Sequence, residues 1–235
     1  MASPPVRYPN GVTTVTSTNP LGMYGMPDPT EWVEYFNDFH TYVAADWTIT
    51  KTEAGAGSAT AALTDINGGA LLVTNDNADN DNSFFQKVGE GFLLAANKRA
   101  FFKCRFKTSD ATQSDIVFGL QVTDTTPLDV TDGIYFLKAD DAATVDLICR
   151  KDASTGTNSD AAIATLSDDT FVTLAWYYDG ASSVKYYVND VLTGEVSGAS
   201  TYLPDTELTI SFGIQNGAAA AKTLTVDYLF AALER

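Results

Sequence analysis

The chain has 235 residues, 45% of them hydrophobic, which is material for a substantial core in one large β domain or two small ones. Its formal charge is −16, with 14 Lys and Arg against 30 Asp and Glu; nucleic acid and anionic membrane surfaces are therefore disfavoured, since both are bound by neutralising negative charge. No N-terminal apolar run suits a signal peptide, no stretch approaches a transmembrane helix, and one histidine with two cysteines makes neither a disulfide framework nor a zinc site.

Residues 1–30 read as an extended arm. Six of the eight prolines fall there, and proline fixes φ and removes a ladder donor, so this stretch is not a central strand. It is also apolar at intervals, through Val6, Tyr8, Val12, Val15, Leu21, Met23, Tyr24 and Met26. Side chains of that kind suit a partner surface better than solvent, and the arm is expected to lie along a partner with strand-type hydrogen bonds. DPTEWVEYFNDF follows. Trp32, Tyr35, Phe36 and Phe39 sit at i, i+3, i+4 and i+7, one face of a short helix capped by Asp28 or Thr30, or else a turn that becomes a strand at Phe36. Nothing else in the chain reads as helix.

From Trp47 onward the pattern is β, in short runs such as DWTITKTE, ALLVTN, SFFQKVG, RAFFKCRFK, SDIVFGLQVTD, DGIYFLKAD, ATVDLICRK, FVTLAWYYD and SVKYYVND. Asn67-Gly68-Gly69, Asp132-Gly133, Asp179-Gly180 and Asn216-Gly217 mark turns between them. Leu208, Ile210, Phe212 and Ile214 share one face of a strand, and Leu224, Val226, Tyr228 and Phe230 repeat the pattern. Cys104 and Cys149 fall in phase with apolar neighbours and are expected as reduced core residues. Short strands at this spacing, in one composition regime, predict an all-β, antiparallel two-sheet jelly-roll sandwich over residues 31–235.

Two segments carry a resemblance. WYYDGASSVKYYVNDVLTGE, residues 176–195, resembles the hairpin pair of concanavalin A-like and laminin G-like jelly rolls. TLTVDYLFAALER at 223–235, together with YFNDFHTYVAADWTIT at 35–50, resembles the closing and opening strands of a family of tailed-bacteriophage virion proteins with the same sandwich. QSDIVFGLQVTDTTPLDVTDGIYF and LTISFGIQNG also fit that family, and the likeness spans roughly residues 33–235. It implies a structural protein that decorates or cements the capsid, a homo-oligomer (dimer or trimer) on the capsid surface, made in the host cytoplasm. The major capsid protein or another virion protein would be its partner.

Chemistry finds little purchase. A catalytic triad must be built on His40, and no elbow motif presents a nucleophile to it. Glycoside hydrolases of related folds place acids at alternate positions on one strand, and no Glu-x-Asp-x-Glu occurs here. The chain is therefore expected to bind rather than catalyse, with no cofactor. Asp76, Asp79 and Asp81 in NDNADNDN are a weak calcium candidate, without the glycine and distal glutamate of an EF-hand loop. Among the tyrosines of 176–187, alternation turns about half outward, which leaves Tyr177 and Tyr187 as candidate contacts to a saccharide such as a cell-surface glycan. Lys98, Arg99, Lys103, Arg105 and Lys107 put five of the 14 basic residues into ten positions. In FFKCRFK the lysines and arginine alternate with Phe102, Cys104 and Phe106, a basic stripe suited to an acidic neighbour or equally an ordinary solvated face.

Overall fold

The computed structural model describes residues 30–54, 57–154 and 159–235. In chain order its strands are β1 (Trp32–Asn37), β2 (Trp47–Thr52), β3 (Thr60–Thr64), β4 (Ala70–Thr74), β5 (Asn82–Lys87), β6 (Phe92–Leu93), β7 (Ala100–Thr108), β8 (Ser114–Gln121), β9 (Gly133–Lys138), β10 (Thr144–Arg150), β11 (Ser159–Thr165), β12 (Val172–Tyr178), β13 (Ser183–Val188), β14 (Val191–Ser197), β15 (Glu207–Asn216) and β16 (Thr223–Glu234). They form two eight-stranded antiparallel sheets. The first runs β14-β13-β12-β7-β16-β4-β3 with β1 beside β16, and the second runs β11-β10-β9-β8-β15-β5-β2 with β6 beside β15. The jelly-roll sandwich expected from the alternation is the fold.

The sheets meet through a contiguous core. Phe106 of the first sheet stacks on Phe118 of the second with ring centroids 4.2 Å apart, and within the second sheet Phe212 stacks on its cross-strand neighbour Phe85 at 4.9 Å. Stacked and edge-on rings of this kind add about 0.5–1.5 kcal/mol per pair beyond their buried area. Cys104 in β7 and Cys149 in β10 are free and fully buried, and burial pushes both thiols up, Cys149 to about 12.

Two expectations need correction. The aromatic run at 32–39 is not a helix: β1 is a strand, paired with β16 from Trp32↔Glu234 to Asn37↔Leu229. The last part of β16 extends beyond β4, so its backbone groups need another partner, and β1 supplies it. As a strand, β1 turns Val33 and Tyr35 toward the core and leaves Phe36 exposed. Phe39 then reaches the core from a left-handed backbone, φ 53°, its N–H bonded to Asn37 Oδ1 at 2.8 Å. The second correction concerns β16, where the register shifts between Val226 and Tyr228. The extra residue reverses the side-chain phase, so Leu229, Ala231 and Leu233 enter the core, and Tyr228 and Phe230 point outward, opposite to the simple alternation. The arm's residues 1–29, with Val6, Tyr8, Val12, Val15, Leu21, Met23, Tyr24 and Met26, lie outside the described residues.

Candidate functional site

The outer face of the first sheet collects most of the residues singled out from the sequence. Strand β7 turns Phe102, Cys104 and Phe106 into the core and Lys103, Arg105 and Lys107 outward. Across the register, Tyr177 lies opposite Phe101, Ala175 opposite Lys103, and Tyr187 opposite Ala175. Tyr177 and Tyr187 therefore share the outer face with the basic stripe, while Tyr178 and Tyr186 are buried inward. The bulged β16 and the edge strand β1 add aromatic rings that sequence reasoning missed. Phe36, 56% exposed, lies 6.3 Å from Tyr228 and 6.4 Å from Phe230, and Phe230 in turn lies 5.7 Å from Phe101. The signal for β1 was present in Val33 and Tyr35 at alternate positions, but the helical spacing of Trp32, Tyr35, Phe36 and Phe39 masked it.

The stripe is not a bare positive strip. Arg99 holds Glu234 through two nitrogens at 2.9 and 3.0 Å, Lys103 holds Asp190 at 2.5 Å, Arg105 pairs with Asp227, and Lys107 lies 3.5 Å from Asp169. The Arg99 hydrogen bonds hold the Glu234 carboxyl down at about 2. Burial works against the Lys103 ammonium, but its hydrogen bond to Asp190, together with the charges and hydrogen bonding of Asp190 and Tyr228, raises its pKa overall. Arg99 also stacks over Trp32 and Arg105 over Phe171, with the guanidinium carbons 5.2 and 4.2 Å from the ring centroids. Lys98 sits in the turn before β7, where its N–H bonds Ala95 O at 3.2 Å. Sequence shows the cations because they are adjacent; their acids come from residues 62 to 135 positions away.

The outer face of the second sheet is different in kind. Register aligns Phe84 with Gly213 and Val117, and aligns Gln86 with Ser211, Gly119 and Tyr135. The two glycines make room for the rings. A Cβ on Gly119 would stand 2.4 Å from Tyr135 Cβ, and one on Gly213 would stand 2.4 Å from Phe84 Cδ1. Residues 122–132 fold over these rings, burying Val130 with Phe84, Val117 and Tyr135 in a second small apolar cluster. Two buried amides staple the segment down. Gln86 Nε2 donates to Val122 O and to Ser211 Oγ, both at 3.0 Å, and its Oε1 accepts from Asp124 N at 2.9 Å. Gln121 Nε2 donates to Pro127 O at 2.9 Å. Arg150 pairs with Asp129 from below. Beside the staple a cavity of about 350 Å³ remains, lined by Phe84, Thr50, Thr52, Asn82, Pro127 and Gln215 among others.

Two acids belong to this face. Asp115 accepts from Asp140 N at 3.0 Å and Gln215 Nε2 at 3.4 Å, and burial raises its pKa above the usual carboxylate value. Asp146 lies opposite Leu137 in β10, and its Oδ1 accepts from Ala162 N at 2.8 Å. The pair stands two strands and two residues apart, roughly 12 Å between Cα atoms by sheet spacings.

The remaining candidates are scattered. His40 is exposed, its Nε2 3.2 Å from Asp38 Oδ2. Asp76, Asp79 and Asp81 do not converge as the calcium reading required: Asp81 is buried and spends its oxygens on Ala54 N at 2.7 Å and Ala78 N at 3.0 Å. The three carboxylates that converge among the described residues are Asp132, Asp152 and Asp205, with Lys151 Nζ 2.6 Å from Asp205.

No family model matches the chain, and no curated protein matches it. Solved structures share its fold. It is similar to an endo-1,3-beta-glucanase from Streptomyces sioyaensis, at TM-score 0.59 and 12% identity over 89% of this chain and 99% of that one. It is similar to an endo-beta-1,4-glucuronan lyase from the fungus Trichoderma reesei, at TM-score 0.53 and 12% identity over 85% and 94%. It is also similar to peanut lectin, at TM-score 0.56 and 11% identity over 86% and 97%. The fold is thus a concanavalin A-like jelly roll. The expectation of binding without catalysis is corrected by these likenesses. A glucanase and a lyase are built on this scaffold, so the lack of an alternating acid motif on one strand does not exclude an enzyme.

Proposed function

We propose that the chain is a structural protein of a tailed-phage particle, docking on the capsid through the outer face of its first sheet. One observation carries this reading. Strands β1 and β16, which contain parts of the two segments resembling phage virion proteins, are hydrogen-bonded neighbours, and their outward rings adjoin the stripe and Tyr177 on a single surface. Aromatic rings interleaved with arginine are the composition of interface centres. The apolar residues of the arm, Val6 to Met26, serve the same docking, and the major capsid protein or another virion protein is the partner. Cosedimentation of the purified chain with particles of the phage that encodes it tests the proposal. Phe36→Asp and the double reversal Lys103→Glu/Arg105→Glu should each release it, while Val88→Asp, at an exposed site beside the second sheet, should not. Particles that carry no copy of the chain would end this reading.

The cavity on the second sheet favours a second reading, glycan recognition. An aromatic ring beside hydroxyl and amide groups is how a sugar ring is held, and several solved neighbours act on or recognise carbohydrate by their names. A glycan array should then show binding that Gln215→Ala and Asn82→Ala remove. Reducing-end release from polysaccharides, abolished by Asp115→Asn, would extend the reading to hydrolysis. An array without hits and no release would refute it.

A further inference from the structure

The cavity beside Phe84 presents more free hydrogen-bond acceptors than donors, and from this we infer the sugar it takes: an amino sugar whose free amine is in the ammonium form. The inference rests on the glycan reading of this cavity and names the ligand within it. Register lines up the wall. Thr52, Asn82, Gln215 and Asp115 are successive partners across β2, β5, β15 and β8, so a polar row crosses four strands on the outer face of the second sheet. Its amide donors are spent within the chain. Gln215 Nε2 is shared between Asn80 Oδ1 at 3.2 Å and Asp115 Oδ2 at 3.4 Å, and Asn82 Nδ2 donates to Asn80 O at 3.3 Å. On the covering segment Thr126 gives its hydroxyl hydrogen to Asp124 Oδ1 at 2.7 Å. The acceptors are not spent. Asn82 Oδ1 is buried without a hydrogen-bond partner, and Gln215 Oε1 accepts from none of the described residues. A buried acceptor left unmet costs free energy that a ligand's donor would return.

Charge selects in the same direction. No Lys or Arg lines the cavity among the described residues, whereas Asp129 does. The cations of these strands are engaged elsewhere: Lys51 on Ala59 O at 2.7 Å, Lys87 on Asp46 at 3.2 Å, Lys138 on Thr112 O at 2.7 Å, and Arg150 on Asp129 itself. An ionised carboxylate only accepts hydrogen bonds, and an ammonium only donates them. A uronate would set acceptors against acceptors beside Asp129, on a chain of charge −16, with no Arg or Lys in the cavity to pair it. An ammonium meets the same wall with three donors and the matching sign. A plain hydroxyl, donor and acceptor at once, falls between the two. The volume of about 350 Å³ lies at the small end of ligand pockets, which suits a short stretch of a glycan.

Titration calorimetry on the full chain tests this with four tetrasaccharides at about pH 6 and low salt: glucosamine, N-acetylglucosamine, glucose and uronate. The expected dissociation constant is at least about tenfold lower for the glucosamine tetramer than for its acetylated form, with no binding of the uronate. The preference should vanish at about pH 9, where the amine has lost its proton. Asn82→Ala and Gln215→Ala should remove the binding although neither changes the net charge. Thr52→Lys, at an exposed position of the wall, should weaken the glucosamine tetramer and admit the uronate. Circular dichroism checks that each variant is folded. Glucosamine binding that survives both alanine variants is attraction to the acidic chain as a whole and overturns the inference. So does any other tetramer that binds as tightly and depends on Asn82 and Gln215; that result keeps the glycan reading and discards the ammonium. Silence from all four overturns the inference, and the glycan array then decides the parent reading on its own.

Discussion

Replacing Gln86 by leucine tests whether residues 122–132 are a stapled cover or a loop that merely rests on the second sheet. Leucine keeps the volume and removes three hydrogen bonds, to Val122 O, Ser211 Oγ and from Asp124 N, at a residue only 1% exposed. If the segment stays closed, three polar groups are stranded, at about 1–3 kcal/mol each, so the loss is of order 3–9 kcal/mol. The segment has an escape, which is to lift and let water reach those groups. Lifting uncovers Val130, Phe84, Val117 and Tyr135, so part of the cost reappears as exposed apolar surface. Urea unfolding gives the total, and hydrogen exchange across 122–132 tells the two responses apart. A stability loss of a few kcal/mol with unchanged exchange means a closed, strained cover; a smaller loss with fast exchange means a lifted one. In the lifted case Pro127 and its neighbours leave the cavity beside Phe84, and any glycan affinity should fall. Loss below about 1 kcal/mol with exchange unchanged would refute the staple altogether.

Gly213→Ala should cost about 1–3 kcal/mol by denaturant midpoint, because its Cβ would stand 2.4 Å from Phe84 and 2.6 Å from the Ser83 carbonyl, and backbone cannot yield as a side chain does. Burial holds the Lys138 ammonium down at about 8 against 10.5 when unfolded, so the unfolded chain binds the extra proton between those values. Stability should therefore climb with pH across that window, by up to about 3 kcal/mol, and the climb should vanish in Lys138→Met. Asp110 runs the other way. Burial opposes its charge, but Lys222 at 2.6 Å and two backbone N–H groups hold it at about 2 against 3.8, so roughly 2 kcal/mol present above pH 4 should be lost as pH falls toward 2, and Asp110→Asn should flatten that loss. Cys104 and Cys149 should resist a thiol reagent at pH 8 in the native chain and both react once it is unfolded.

Period-two alternation is a local property, and a strand with one buried face must display it wherever its partner lies. That is why β7, β12, β13 and β15 could be read from residues 100–216 directly, with Tyr178 turned in and Tyr177 turned out. Partnership is not local. Trp32 to Phe36 satisfy helical spacing as well as strand spacing, and only a free length of β16, some 200 residues on, decides for the strand. The bulge before Tyr228 is equally silent in sequence, since one unpaired residue changes no composition, yet it moves two rings from core to surface and with Phe36 makes the outer face of the first sheet aromatic. The stripe was legible as cations and illegible as ion pairs, because Asp190, Asp227 and Glu234 reach it across strand lanes. Composition and alternation determined by themselves that this acidic chain is a two-sheet sandwich. Tertiary structure alone decided which faces are covered: residues 122–132 over the second sheet, held by Gln86 and Gln121, with no such cover over the first sheet among the described residues, because burial depends on long-range register that no short window of residues encodes.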